Sequence, residues 1–325
     1  MKMVVTGAGG FLGRNLTVAL LAEGHRVWNF SRQNHTSLKA MGVETICGNL
    51  QNPDDVKKAF EGMDAVFHVA SRVGIWGNYH DYYQTNVIGT ENVIKSCRAN
   101  GITKLVYTST PSVVFDGGDI RGADETKPYS SKFLNDYSKT KMMAEQMVLR
   151  ANSEALCTVA LRPHQIIGPD DPHLVPRLVN AAKRGKLKIV GTGGNLVDVT
   201  YIQNAVDAHI LAFQHLSPQS PVAGQAYFIG QERPVVLWDF INEILARHNL
   251  SPVTRKVSAQ FAFNVGLFFE SWYRLLRLKG EPPMTRFVAL QFSRSHYFSH
   301  QKAKNDFGYD PKISIEQALD LIVRA

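Results

Sequence analysis

Cysteine is scarce in this chain: Cys47, Cys97 and Cys157 are odd in number, far apart and free of CxxC or Cys/His ligand spacing. That excludes a disulfide framework and a zinc site and predicts buried cytosolic thiols. A long uncharged apolar run is also missing. The most apolar stretch, S-A-Q-F-A-F-N-V-G-L-F-F-E-S-W-Y-R-L-L-R-L-K-G at residues 258–280, is interrupted by Glu270, Arg274, Arg277 and Lys279, which excludes a transmembrane helix. Low-complexity tracts and fixed-period repeats are absent, so disorder and solenoid architectures drop out. The first residues, M-K-M-V-V-T-G, run directly into a strand and turn without the pattern of a cleaved leader, predicting a chain that starts folded in the cytoplasm. The net charge is +8, yet no nucleic-acid reader motif accompanies it and the basic residues are scattered, so no nucleic-acid partner is expected.

What is present fits a globular α/β protein: 325 residues, 44% hydrophobic and 20% charged, enough for a large core or for a nucleotide domain with a second lobe. Short β-branched runs near residues 2–6, 26–30, 43–46, 64–68, 104–108 and 157–161 alternate with helical periodicity. That alternation predicts a doubly wound parallel sheet of Rossmann type. Beyond about residue 165 the alternation fades into Pro and Gly punctuation. The division predicted is a Rossmann domain over 1–165, its sheet completed by later segments, and a smaller mixed α/β substrate lobe over 166–325. Within that lobe, the helix at 258–280 reads as a lid or core helix over an apolar cavity. Peripheral membrane contact is its second reading, with Phe and Trp in lipid and Arg274, Arg277 and Lys279 outside.

V-V-T-G-A-G-G-F-L-G, residues 4–13, ends the first strand and opens a helix with Gly7, Gly10 and Gly13 in GxxGxxG spacing. Glycines there allow a tight turn and close approach of backbone N–H groups to a pyrophosphate, with Phe11 and Leu12 at the helix start beside it. The alternative reading is an ordinary βα turn. A NAD-specific site usually places an acid at the end of the second strand. Here that position holds Ser31 and Arg32, which suit a 2′-phosphate, so NADP(H) is preferred and NAD(H) is the alternative cofactor. Asn49 and Leu50, after the third strand, fall where an adenine edge would rest. Ala70 and Ser71, after the fourth, fall along the cofactor.

N-D-Y-S-K-T-K, residues 135–141, places Lys141 four residues after Tyr137, on one helix face. With 11 Tyr and 36 Lys+Arg in 325 residues, chance alone predicts 11 × 36/325, about one Tyr-x-x-x-(Lys/Arg) pair, and Tyr273 with Arg277 is such a bystander. Reduction of a ketone needs a proton donor, and free tyrosine at about 10 is a weak one. A cation about 4 Å away at an effective dielectric of about 20 contributes up to ~4 kcal/mol, lowering the phenol by at most ~3 units. A third group is expected from the hydroxyl cluster Thr108, Ser109, Thr110 and Ser112, whose other reading is local turn chemistry.

TGxxGxxG, the hydroxyl-rich strand end, YxxxK and the later L-R-P-H-Q-I-I-G-P occur in the order of the extended short-chain dehydrogenase/reductase family, which the chain resembles over essentially its whole length. The resemblance implies that Tyr137 is the acid/base, that Thr110 orients the substrate oxygen, and that Lys141 lowers the tyrosine pKa and contacts the nicotinamide ribose. It further implies that Pro163 and Ile166 line the nicotinamide side. Y-T-S-T-P-S-V-V-F with G-A-D-E-T-K-P-Y, and the stretch 280–319, resemble the 3β-hydroxysteroid dehydrogenase branch. Within it, T-S-T-P-S-V and E-P-P-M-T-R-F are most similar to bacterial 2-alkyl-3-oxoalkanoate reductases of long-chain olefin biosynthesis. Two departures stand out: Thr110 replaces the usual Ser, and Asn49 replaces the usual Asp.

The function so implied is NADPH-dependent reduction of a ketone in a long-chain apolar substrate, a 2-alkyl-3-oxoalkanoic acid, to the 3-hydroxy acid. A cytoplasmic homodimer is implied too, pairing through 79–100 and 134–153. The rivals are a 3β-hydroxysteroid or sterol dehydrogenase running oxidatively, a non-catalytic NADP(H) sensor or scaffold, and a sugar-nucleotide epimerase, which the apolar lobe disfavours. His68 reads as a packed histidine and no metal is expected; Asn86 reads as a structural hydrogen-bonding residue. Trp76, Tyr79 and Tyr82 line a substrate mouth or fill the lobe interface, and Ser112 is a further substrate candidate.

Overall fold

The structure is a computed structural model that describes residues 1–172 and 174–322. Seven strands form its central sheet: β1 (Lys2–Thr6), β2 (Arg26–Ser31), β3 (Glu44–Cys47), β4 (Ala65–His68), β5 (Lys104–Thr108), β6 (Cys157–Pro163) and β7 (Gln225–Ile229). Their spatial order is β7-β6-β5-β4-β1-β2-β3, all parallel. Val4, Val5, Val66, Phe67, Leu105 and Val106 are fully buried, as expected for strands covered on both faces. The expected strands recur with small shifts: the third lies one residue later, the fourth begins at Ala65, and the sixth runs on to Pro163. The seventh comes from the second half of the chain, where the sequence reading expected later segments to complete the sheet but gave no strand position.

Parallel pairing brings every carboxyl end to one edge, with Thr6 beside His68 and Thr108 beside Leu161. Strand order reverses at β1, between β4 and β2, which opens the crevice where such sheets take ligands. One face is covered by α1 (Phe11–Ala22) and the helix Ile202–His215, through Leu16, Leu20, Val206 and Phe213. The other face carries α2 (Gly89–Ala99) and α3 (Asp136–Arg150), through Val93, Ile94, Ala144 and Val148.

A π-helical segment, Tyr83–Ile88, precedes α2, and its Asn86 is almost fully buried. The Asn86 side chain accepts from Arg72 N (2.7 Å) and donates to Arg72 O (3.2 Å) and the Thr140 hydroxyl (3.1 Å). It therefore ties the loop after β4 to α3, a use found for π-bulges at functional sites.

A second sheet of short strands, in the order Val235–Val236, Leu196–Val197, His296–Phe298 and Ile120–Ala123, stands beside the first, over a core that includes Val197, Trp238 and Ile241. The predicted helix at 258–280 is α4 (Ala259–Leu275), capped by Ser258, whose hydroxyl accepts from Phe261 N at 3.1 Å. It ends five residues early, in a turn where Arg277 has φ +49°. Ala262, Gly266 and Glu270 form its buried stripe, and Glu270 receives Arg286 N at 2.7 Å. Phe261, Phe268, Trp272 and Leu275 are exposed. Among the described residues no helix is long and apolar enough to cross a membrane.

One thiol departs from expectation. Cys97 and Cys157 are buried but Cys47 is exposed, because it ends the edge strand β3 and donates to Asn34 Oδ1 at 3.3 Å.

Candidate active site

A cleft of about 750 Å³ opens along the carboxyl edge of the sheet. Gly7 sits at its floor with φ +76°, and a Cβ there would lie 2.9 Å from Ala70 Cα. At Gly13 a Cβ would lie 2.2 Å from Gly7 O, so the helix packs onto the turn only because both are glycine. Gly10 N donates to Gly7 O (3.0 Å), closing the turn, and α1 starts with no acidic side chain in its first turn and no side-chain cap among the described residues. The result is a glycine turn leading into the uncapped, positive end of a helix, a cradle of anion-binding shape.

Ser31 and Arg32 line the cleft at the end of β2. The Ser31 hydroxyl accepts from Asn29 Nδ2 (2.9 Å) and donates to Gln33 O (2.7 Å), while Arg32 extends into solvent. Asn49 lines it from the third strand's loop. Its Oδ1 already accepts from Gln51 N at 3.1 Å, leaving Nδ2 as the group for a ligand. Phe11, Leu12, Leu50, Ala70, Ser71, Pro163 and Ile166 line the same cleft.

Thr110, Tyr137 and Lys141 converge on this cleft from two elements. Thr110 follows β5 and caps the 3₁₀ turn Pro111–Val114, its hydroxyl accepting from Ser112 N at 3.3 Å. Tyr137 and Lys141 lie on α3, whose first turn is fixed by Asn135 Oδ1 accepting from Ser138 N at 2.7 Å. Lys141 is 2% exposed, donates to Thr108 O at 2.6 Å and stands 4.2 Å over the Tyr107 ring.

The electrostatics correct one expectation. Burial pushes the Tyr137 phenol up to about 12, with the hydrogen bond from the Thr110 side chain pulling the other way. Burial also brings Lys141 down to about 7, opposed by the charge of Glu145. Desolvation of both groups therefore outweighs the tuning predicted from their spacing alone.

Glu145, which the sequence reading passed over, forms a buried pair with Arg162 of β6. Arg162 donates through Nε to Oε2 (3.0 Å) and through Nη2 to Oε1 (2.5 Å), and Tyr129 donates its hydroxyl to Oε1 (2.6 Å). Ser109, a member of the hydroxyl cluster read from the sequence, has its hydroxyl buried without a hydrogen-bond partner among the described residues, and it lines the cleft. A period-3.6 pattern could have put Glu145 one turn beyond Lys141, but nothing local linked it to Arg162.

Of the four residues proposed for substrate, none lines the cleft; Tyr82 is buried with its hydroxyl donating to Trp76 O at 3.1 Å. Ser112 is the backbone partner of Thr110; Trp76 packs edge-on to Tyr273 with Arg274 at 5.2 Å; Tyr79 packs on Tyr83 with Lys139 at 5.1 Å. The cleft is lined in addition by Val73, Ile75, Gln165, Leu174, Arg177 and Glu281. His68 bridges Thr6 (2.7 Å) and Thr90 (2.9 Å), and burial holds it near 3, hence neutral.

Residues 4–257 match the family model described as the 3-beta hydroxysteroid dehydrogenase/isomerase family. The chain belongs to this family. A 2-alkyl-3-oxoalkanoate reductase of Stenotrophomonas maltophilia is 48% identical over 322 residues, covering 98% of this chain and 97% of that protein. A second of that name, from Shewanella oneidensis, is 50% identical over 97% of this chain and 84% of its own length. Sterol-4-alpha-carboxylate 3-dehydrogenase, decarboxylating, of Mus musculus is 36% identical over 100% of this chain and 90% of its own. Among solved structures, a short-chain dehydrogenase/reductase superfamily protein from Agrobacterium tumefaciens with bound NAD superposes with a TM-score of 0.76 at 18% identity, covering 100% of this chain and 96% of that one, a likeness of fold. The family and these relatives carry the names of oxidoreductases that act on small molecules. The glycine cradle, the uncapped helix start and the hydroxyl, amide and guanidinium along the cleft fit a nicotinamide dinucleotide.

Proposed function

We propose that the protein reduces the ketone of a 2-alkyl-3-oxoalkanoic acid with NADPH. The observation that carries this reading is that Thr110, Tyr137 and Lys141 line the same cleft as the glycine turn. When bound, the dinucleotide supplies the hydride. Gly7, Gly10 and Gly13 hold its pyrophosphate, and Arg32 with Ser31 holds the 2′-phosphate. Tyr137 donates its proton to the substrate oxygen, and the hydrogen bond from the Thr110 side chain works against the burial that raises its pKa. Thr110 orients that oxygen by a hydrogen bond, and Lys141 supplies positive charge behind the tyrosine. Val73, Ile75, Leu174 and Ile166 offer apolar walls for the chains.

The mouse relative supports a second reading, oxidation of a sterol bearing a carboxylate, by the same three side chains. NADPH consumption assayed against a 2-alkyl-3-oxo acid and a 3-oxosteroid side by side decides between them, and turnover of neither ends both.

The exposed stripe of α4 is proposed to rest on an anionic lipid surface. Phe268 and Trp272 stack at 5.9 Å, Leu275 is 77% exposed, and Arg274, Arg277 and Lys279 supply the complementary charge at the same end. Co-flotation with anionic but not neutral vesicles is expected, and its loss in Phe268→Ser/Trp272→Ser. The homodimer through 79–100 and 134–153 rests on the resemblance alone and is tested by mass in solution.

A further inference from the structure

The substrates named for the relatives share a group that none of the residues above binds. A 2-alkyl-3-oxoalkanoate and a sterol-4-alpha-carboxylate each carry a carboxylate on the carbon next to the one bearing the reacting oxygen. A carboxylate leaving water for a cleft with apolar walls needs a cation. Among the described residues lining the cleft, the cationic side chains are Arg32, Lys141 and Arg177. Arg32 stands at the end of β2 beside the glycine turn, and Lys141 is buried with its ammonium on the Thr108 carbonyl.

Arg177 has neither commitment. It lies on the helix Leu174–Lys183, one turn after Leu174, with its side chain 63% exposed. Its Nη1 stands 3.3 Å from the Glu281 carboxylate, which also lines the cleft and comes from the segment after α4, 104 residues away in sequence. A pair this exposed is weak, so another carboxylate can displace it. The planar guanidinium, in turn, can grip an acid through two parallel hydrogen bonds.

We infer that Arg177 is the residue that binds the substrate carboxylate, and that Glu281 occupies its guanidinium across the cleft mouth until the acid takes its place. The assignment rests on the reading under Proposed function, and the group recognised, the acid next to the reacting carbon, is common to both substrates considered there.

The test measures calorimetric binding of two ligands to the NADP⁺-saturated protein: a 2-alkyl-3-hydroxyalkanoic acid, and the secondary alcohol of the same chains without the carboxylate. Arg177→Ala is expected to weaken the acid about ten- to hundredfold relative to the alcohol. Arg177→Lys should recover part of that loss, and Glu281→Gln should tighten the acid alone. Equal losses for both ligands, or none for the acid, overturn the assignment. Turnover of the hydroxy acid is followed separately: Arg177-dependent binding without turnover sinks the reductase reading and leaves the carboxylate site standing.

Discussion

Lys141 donates a 2.6 Å hydrogen bond to the Thr108 carbonyl, so the helix that carries Tyr137 is pinned to the strand end from which Thr110 emerges. Lys141 is therefore a positioning group as well as a charge. Lys139, two residues away, is exposed and lies over Tyr79. Tyr137→Phe is expected to lower kcat by about 10²- to 10⁴-fold. Lys141→Ala should lower it comparably, while Lys139→Ala stays within about twofold, since a solvated surface side chain contributes little. Steady-state kinetics with NADPH reads all three, and an exchange of the two lysine phenotypes would mean that the helix face is wrongly assigned.

Lys141 also predicts a pH dependence of stability. Its folded value of about 7 lies below the free value of 10.5, so between these the unfolded chain holds the extra proton. Stability attributable to this group therefore rises with pH from about 7 toward 10.5, and the penalty for burying its charge is fully present below about 7. Tm followed from pH 7 to 9.5 should climb in the wild type relative to Lys141→Met. A constant difference across that range would falsify the buried, depressed lysine.

Arg32 is exposed at the cleft where a 2′-phosphate is expected. Arg32→Ala should cut kcat/KM for NADPH by about ten- to a hundredfold and leave that for NADH nearly unchanged, since only the phosphate loses its charge-assisted hydrogen bonds. Equal losses with both cofactors would return Arg32 to the status of a surface charge.

The Glu145–Arg162 pair is buried, with side chains 0% and 4% exposed. Glu145→Ala strands the Arg162 cation in the interior, and urea unfolding should show a loss of about 3–5 kcal/mol. Replacing both residues by Met should restore much of that, because the cost lies in the uncompensated charge. A double variant no more stable than the single one would assign the loss to packing around Tyr129 instead.

The cleft was legible to different depths. Each residue read from a strand end as a cofactor candidate lies in it, because parallel strands bring their carboxyl ends to one edge and local sequence marks those ends. Trp76, Tyr79 and Ser112 are outside it. An aromatic or hydroxyl in a loop reads the same whether it faces a ligand or a neighbour, and here Tyr273, Tyr83 and Thr110 are the neighbours. Arg177 and Glu281, 104 residues apart and on the cleft wall, carried no local signal at all.

By itself the sequence determined the alternating α/β order, the glycine turn and the Tyr137–Lys141 spacing, since each depends on residues within one turn or one strand of each other. Only the tertiary structure decided which later segment, β7, joins the sheet, that Glu145 meets Arg162, and that Lys141 is bound to Thr108. It also decided the pKa directions. Desolvation depends on everything packed around a group, and no spacing along a chain records how much water the fold removes.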